Sequence, residues 1–132
     1  MKKILLASAI AVGMASCAPT QKMDISGEWK VLTINGSQVP ETMNEPTLTI
    51  NASKTYSGVT GVNTMNGEYT LKDNTLTFQE APMTKMMADP TSMEVEDSYI
   101  QAIFSTTSVS TENGRLVLKN GEGKEVMTLG KK

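Results

Sequence analysis

Histidine is absent from the chain. The commonest general base and the commonest metal ligand are therefore missing. Cysteine occurs once, as Cys17, which excludes an intrachain disulfide and a cysteine-based zinc site. Aromatic residues are scarce, with one tryptophan, two phenylalanines and three tyrosines. A core must lean on aliphatic side chains and methionine. The long apolar run, Ile4 to Gly13, has about ten residues, too few for a membrane-spanning helix. These absences leave most enzyme classes without their usual side chains. What is present suits a soluble globular domain: 39% hydrophobic and 20% charged residues. A length of 132 residues gives room for one domain.

The first 17 residues, MKKILLASAIAVGMASC, have the layout of an export signal. Lys2 and Lys3 form a basic start, the apolar run follows, and small residues precede the cysteine. Met14-Ala15-Ser16-Cys17 resembles a bacterial lipobox, with Met14 in place of the usual leucine. The sequence thus predicts a lipoprotein signal peptide over residues 1–16 and lipid attachment, palmitate among the acyl chains, at Cys17. The 132 residues less the 16 before Cys17 leave 116, and losing Lys2 and Lys3 takes the net charge from −2 to −4. That balance argues against nucleic acid as a partner. Contact with the membrane is expected through the acyl chains alone. Residues 17–24 read as the lipidated cysteine and a polar tether; its seven residues Ala18 to Asp24 reach roughly 20–25 Å at full extension. Ala18 rather than an acidic residue follows the cysteine, which points to the outer membrane of the bacterial cell envelope.

Residues 25–132 read as the folded domain. Apolar side chains recur with period two, and turn residues punctuate every eight to twelve positions, the pattern of an all-β barrel or sandwich. Trp29, Val31 and Thr33 form one face of a first strand that ends at Asn35-Gly36. Leu48 and Ile50 share a face of the next. Tyr69 and Leu71 match Leu76 and Phe78 across a tight Lys72-Asp73-Asn74 turn. Leu116 and Leu118 match Val126, Met127 and Leu129.

One segment breaks the rhythm. A helix is expected over about 91–105, with Asp89 or Thr91 as N-cap and Pro90 or Thr91 at its start. Glu94, Glu96 and Asp97 place negative charge in its first turns, where the dipole favours it. Met93, Tyr99 or Ile100, Ile103 and Phe104 form an apolar stripe that must cover the sheet or plug a barrel end.

Four stretches resemble the META, or HslJ-like, family. They are Ile25-Ser26-Gly27-Glu28-Trp29-Lys30-Val31 with Ile34-Asn35-Gly36; Pro46-Thr47-Leu48-Thr49-Ile50; Ser57 through Tyr69, which is similar to a "glycine-cysteine-asparagine … glycine-x-tyrosine" pattern; and Ala81 through Ala88, similar to "threonine-lysine/arginine-methionine-x-cysteine". The resemblance runs from Ile25 to Leu129. It implies a mainly β (β-rich α+β) fold: a curved antiparallel sheet, or small lipocalin-like open barrel, of about eight strands with one α-helix. It implies no enzymatic activity, and it carries an association with stress response. Family members often have cysteines where Val62 and Ala88 stand. Their joint replacement reads as a staple exchanged for apolar packing.

Candidate sites are few. Met83, Met86 and Met87, with Met93 nearby, resemble a thioether cluster for a soft ion. Packing is the preferred reading, with Met86 a family core position and the others filling gaps. Glu94, Glu96 and Asp97 have neither calcium-loop spacing nor a general-base partner. Lys85 sits where an anion or a partner carboxylate would meet it. Ser57-Gly58 and Gly61-x-Asn63 are too poor in glycine for a phosphate loop. No catalytic, metal or cofactor site is assigned, and ligand-binding residues stay unknown. The expected function is a non-enzymatic META-domain lipoprotein of the bacterial cell envelope, a structural, stress-response or partner-binding module with an envelope protein as partner. The alternatives are a small-ligand binder using the barrel, or a protease-inhibitor-like module using loops such as Gly36–Asn44 or Glu80–Pro90. Filling of the interior by Trp29, Tyr69, Phe78 and the helix would count against the binder.

Overall fold

A computed structural model describes residues 23–132. The expected signal peptide at 1–16, Cys17 and residues 18–22 of the tether lie outside the described residues. The strands are β1 (Gly27–Ile34), β2 (Ser37–Gln38), β3 (Thr47–Ile50), β4 (Thr55–Val59), β5 (Thr64–Lys72) and β6 (Thr75–Phe78), then β7 (Thr106–Glu112), β8 (Arg115–Asn120) and β9 (Glu125–Lys131). The helix α1 (Pro90–Ser105) stands between β6 and β7. Every strand pairing is antiparallel, and successive neighbours run β1-β3-β4-β5-β6-β7-β8-β9 before β9 returns to β1. The result is a closed eight-stranded barrel with one helix, and β2 is a short flap folded against the end of β1. This is the mainly β, single-helix architecture that the sequence predicts.

Turn chemistry sets the hairpins. Asn35 and Gly36, at φ 52° and 83°, both take the left-handed conformation that the right-handed twist of paired strands favours. Asn113 and Gly114 repeat it between β7 and β8, at φ 54° and 79°. Asp73, at φ 57°, makes the tight β5–β6 turn, and Tyr69 faces Phe78 while Leu71 faces Leu76.

Two bulges alter the alternation read from the sequence. Leu32 is an extra residue on β1 opposite β9, so the register moves from Val31–Leu129 to Thr33–Thr128. The phase flips there. Ile34 is buried with Trp29 and Val31, while Thr33 is only half-buried and shares a 2.6 Å hydroxyl contact with Thr128. On β9, Val126 is the extra residue between the pairs Leu118–Met127 and Lys119–Glu125. Adjacent Val126 and Met127 are therefore both buried, which strict alternation forbids.

The helix begins one residue before its expected start. Asp89 is the N-cap: its carboxylate accepts from the Ser92 amide (3.0 Å) and the Ser92 hydroxyl (2.7 Å). The buried face is Ser92, Val95, Glu96, Tyr99, Ala102 and Ile103. Tyr99 and Ile103 lie where the sequence placed them. Phe104 is exposed and Met93 half-buried, because the stripe is centred on Val95 and Ala102 instead. Glu96 is the larger correction. It is not a solvated dipole partner but a side chain only 5% exposed.

One core fills the barrel. Trp29, Tyr56, Tyr69, Phe78 and Tyr99 belong to one buried cluster to which all eight barrel strands contribute, β4 through Tyr56 alone. The Trp29 indole donates to the Ile25 carbonyl (2.9 Å), Tyr69 to Asn51 (2.7 Å) and Tyr99 to Thr47 on β3 (2.7 Å), so each buried aromatic polar atom has a partner. Met23 packs against this cluster, and Asp24 accepts from Ser26. The last two tether residues thus join the folded unit.

Candidate functional site

The barrel end beneath α1 holds a buried polar cluster in a mainly apolar interior: Thr60, Asn63 and Glu96, at 0%, 2% and 5% exposure. It grows from the tight link between β4 and β5. There the Thr60 amide donates to the Asn63 carbonyl (2.9 Å), and the Asn63 amide reaches the Thr60 hydroxyl oxygen (3.1 Å). This turn aims the Asn63 side chain at two other segments at once.

Asn63 uses its whole hydrogen-bonding capacity. Its Nδ2 donates to the Met86 carbonyl (3.1 Å) and to Glu96 Oε1 and Oε2 (2.8 and 3.1 Å). Its Oδ1 accepts from the Met86 amide (2.6 Å) and the Thr84 hydroxyl (2.9 Å). Two donors and two acceptor sites are all that a primary amide has. Because Met86 offers both an N–H and a carbonyl, the amide is held in one orientation. No other side chain of this size carries donor and acceptor in that arrangement.

Glu96 receives only donors. The Thr60 hydroxyl (2.5 Å), the Asn63 backbone amide (3.2 Å) and Asn63 Nδ2 all point at its oxygens. A carboxylate taken out of water needs such partners. The cluster is therefore a clasp that fastens α1 to the β4–β5 turn and to the 84–86 segment. A fourth segment joins nearby. Asn44 donates from its backbone to Gly61 (2.9 Å) and from its side chain to Val62 (3.0 Å), and the Met43 amide donates to the Ser92 hydroxyl (2.9 Å).

The sequence placed Thr84, Met86 and Asn63 in matching stretches but gave no reason for them. The clasp supplies it: Asn63 on the β4–β5 turn bonds Thr84 and Met86 on the segment before α1, and joins both to Glu96 on the helix. Glu96 was the residue missed. Its signal was available only as a carboxylate at a position of α1 two turns before Ile103, on the face that Tyr99 and Ile103 bury.

Beside the clasp lies a surface cleft of about 270 Å³ bordered by Asn63, Met83, Thr84, Lys85, Met86, Met87, Met93 and Glu96. The expectation that Met86 is a core residue does not hold. It is 48% exposed, and Met87 is 82% exposed. Only the Met86 backbone is engaged, by Asn63, which leaves its side chain free to stand outward. Lys85 is exposed at the same rim, while Glu94 and Asp97 are exposed on α1 away from the buried face. Val62 is buried, at 1% exposure, and Ala88 is half-buried.

Burial perturbs the tyrosines. The Tyr56 phenol is pushed up to about 12 by desolvation, and Tyr99 is pushed higher still by its complete burial, with a smaller contribution from Tyr56. Asp89 is held below the usual carboxylate range by the Ser92 hydroxyl and amide. None of these groups borders the methionine cleft.

The META domain family model matches residues 20–132. The chain belongs to the META domain family. No curated protein matches it. Three solved structures share the fold. An NMR structure described only as that of "the protein" has a TM-score of 0.63 at 24% identity, covering 79% of this chain and 87% of its own. An NMR structure from Burkholderia xenovorans has a TM-score of 0.62 at 22% identity, covering 81% and 82%. A crystal structure of a DUF4847 family protein from Bacteroides vulgatus ATCC 8482 has a TM-score of 0.58 at 16% identity, covering 81% and 93%. At these identities the likeness is one of fold, and in this META domain function must be argued from residues.

Proposed function

We propose that this META-domain protein is a non-enzymatic lipoprotein of the bacterial cell envelope, anchored through acylated Cys17 to the outer membrane and acting there as a structural, stress-response or partner-binding module. One observation supports the non-enzymatic reading most. The buried polar side chains at the barrel end are spent on one another: Asn63 has no free donor or acceptor, and the Glu96 oxygens are taken by Thr60 and Asn63. A catalytic site keeps a reactive group open to its substrate; this cluster keeps none. The filled interior, with Trp29, Tyr69, Phe78 and Tyr99 in one cluster, leaves recognition to the outer surface and speaks against a ligand held inside the barrel.

The anchor reading is supported by Lys2, Lys3, the apolar run and Ser16-Cys17. Membrane fractionation and intact mass test it. The wild-type protein is expected with outer-membrane markers, carrying acyl mass on Cys17, and Cys17→Ser is expected to be released or unprocessed. An unchanged mass and distribution in Cys17→Ser overturns it. Co-purification of the lipidated protein from its own envelope tests the partner. A reproducible envelope protein recovered with wild type and lost with Cys17→Ser is the expected result.

A further inference from the structure

Packing explains Met65 and Met127, each 1% exposed in the core. It does not explain the methionines around the cleft beside Asn63. Met86 and Met87 are among the large apolar side chains most open to solvent in the described residues, at 48% and 82%. Half-buried Met83 and Met93 border the same cleft. Four methionines thus border one opening, drawn from the 83–87 segment and the first turn of α1.

The backbone that carries them is fixed. Met86 is bonded to Asn63 through both its amide and its carbonyl. Met83 bridges to Met65 on β5. The Met93 amide donates to the Asp89 carbonyl within the capped start of α1 (3.0 Å). The clasp holds both segments at their places, so a ligand arriving at the cleft orders side chains but not backbone.

We propose that this cleft binds a soft monovalent metal ion, Cu(I) or its analogue Ag(I), through the thioether sulfurs of Met83, Met86, Met87 and Met93. Thioether sulfur is neutral, polarizable and soft, and it suits such ions over hard ones. It carries no proton that the metal must displace, so binding persists in acid where thiolate and imidazole ligands fail. In a domain without histidine, and with its one cysteine ahead of the fold, methionine is the soft donor available. The remaining groups at the cleft disfavour hard divalent ions. The Glu96 oxygens are engaged by Thr60 and Asn63, and Lys85 adds positive charge at the rim. This inference is independent of the anchor and of the envelope partner.

The test uses full-length protein in detergent micelles with the methionine methyl groups labelled with carbon-13. Silver nitrate is titrated in chloride-free buffer, past the equivalent that Cys17 sulfur would take. The methyl resonances of Met83, Met86, Met87 and Met93 are expected to shift together and saturate first. Met43, 56% exposed and outside the cleft, reports an isolated thioether. Met86→Leu with Met93→Leu is expected to weaken binding at the remaining cleft methyls by roughly tenfold or more. The Met65 and Met127 resonances should stay in place and so report an intact core. Where the double variant does not fold, Met87→Leu at the most exposed position is the substitute and is expected to weaken binding in the same direction. Magnesium and calcium are expected to shift nothing. If the cleft methyls move only in step with Met43, or if the folded variant titrates as wild type, the site is overturned.

Discussion

Gly58 on β4 leaves the space that the Tyr99 hydroxyl occupies: a β-carbon placed on Gly58 would overlap that oxygen, and it would come within 3.5 Å of Met65. Tyr99 reaches from α1 across the barrel end to donate to Thr47 on β3, the strand beside β4. A missing side chain on one element and a long polar one on another form a single fitted contact.

Gly58→Ala is therefore expected to destabilise the domain by ~2 kcal/mol, as overpacking of a closed site does. Tyr99→Phe alone is expected to cost ~1 kcal/mol by leaving the Thr47 carbonyl without its donor. Because the phenylalanine ring lacks the obstructing oxygen, the double variant should lose less than the two costs added. Urea unfolding of the four proteins measures the coupling; strict additivity would contradict the contact.

Asn63→Ala is expected to cost ~3 kcal/mol. It strips Glu96 of a donor in the interior and frees both polar groups of Met86. Asn63→Asp should be as damaging, because a carboxylate would face the Glu96 carboxylate where Nδ2 now donates. Denaturation midpoints test this. A variant within about 0.5 kcal/mol of wild type, the range of ordinary surface substitutions, would show that the clasp does not hold the fold.

Val62→Cys with Ala88→Cys is expected to oxidise to a bridge. Asn63, the neighbour of Val62, is bonded to Met86, two residues before Ala88, so the two segments run side by side. A bridge requires Cα atoms within ~7 Å, and closing that loop adds ~3 kcal/mol. Thiol titration and melting with and without reductant give the outcome. Two persistent free thiols under oxidant would show that Ala88 is not the position opposite Val62.

The Asp89 carboxyl, lowered by the Ser92 hydroxyl and amide, ties the start of α1 to acid. A carboxyl whose folded value lies below its unfolded value gives stability that is complete above the unfolded value near 3.8 and is lost as pH falls through the folded one. Asp89→Asn keeps a capping oxygen without the titration. Its stability is expected to fall less than wild type across that acid window, as read by helix circular dichroism. Parallel acid profiles would refute the assignment.

Most strands were legible because one face of each meets the core, and turn pairs such as Asn35-Gly36 mark their ends; β2 is too short for a pattern, and β7 has Val109 as its one buried apolar residue, so neither was read. The bulges at Leu32 and Val126 were not, because nothing local distinguishes an extra residue from an alternating one; the partner strand decides. The N-cap was legible in Asp89-Pro90 for a local reason, the fixed backbone of proline behind a capping carboxylate. Glu96 was opaque because its donors lie 33 and 36 positions away, so its burial is a tertiary fact. The exposure of Met86 was hidden similarly: the segment before α1 has no period, and Asn63 grips its backbone without claiming the side chain.

The barrel closes by joining its first strand to its last. Strand β1 finds β9 through five register pairs from Trp29–Lys131 to Ile34–Met127, and the Lys131 ammonium lies 4.5 Å from the Trp29 ring centroid. During synthesis, one whole edge of β1 waits for β9, which is made after all the other described strands. Every intermediate length presents that edge unpaired, a template for sticking to other chains. The domain is thus committed to late completion: a chain cut short before β9 keeps its hairpins but never becomes a barrel, and a holdase that covers β1 during that wait would protect it most.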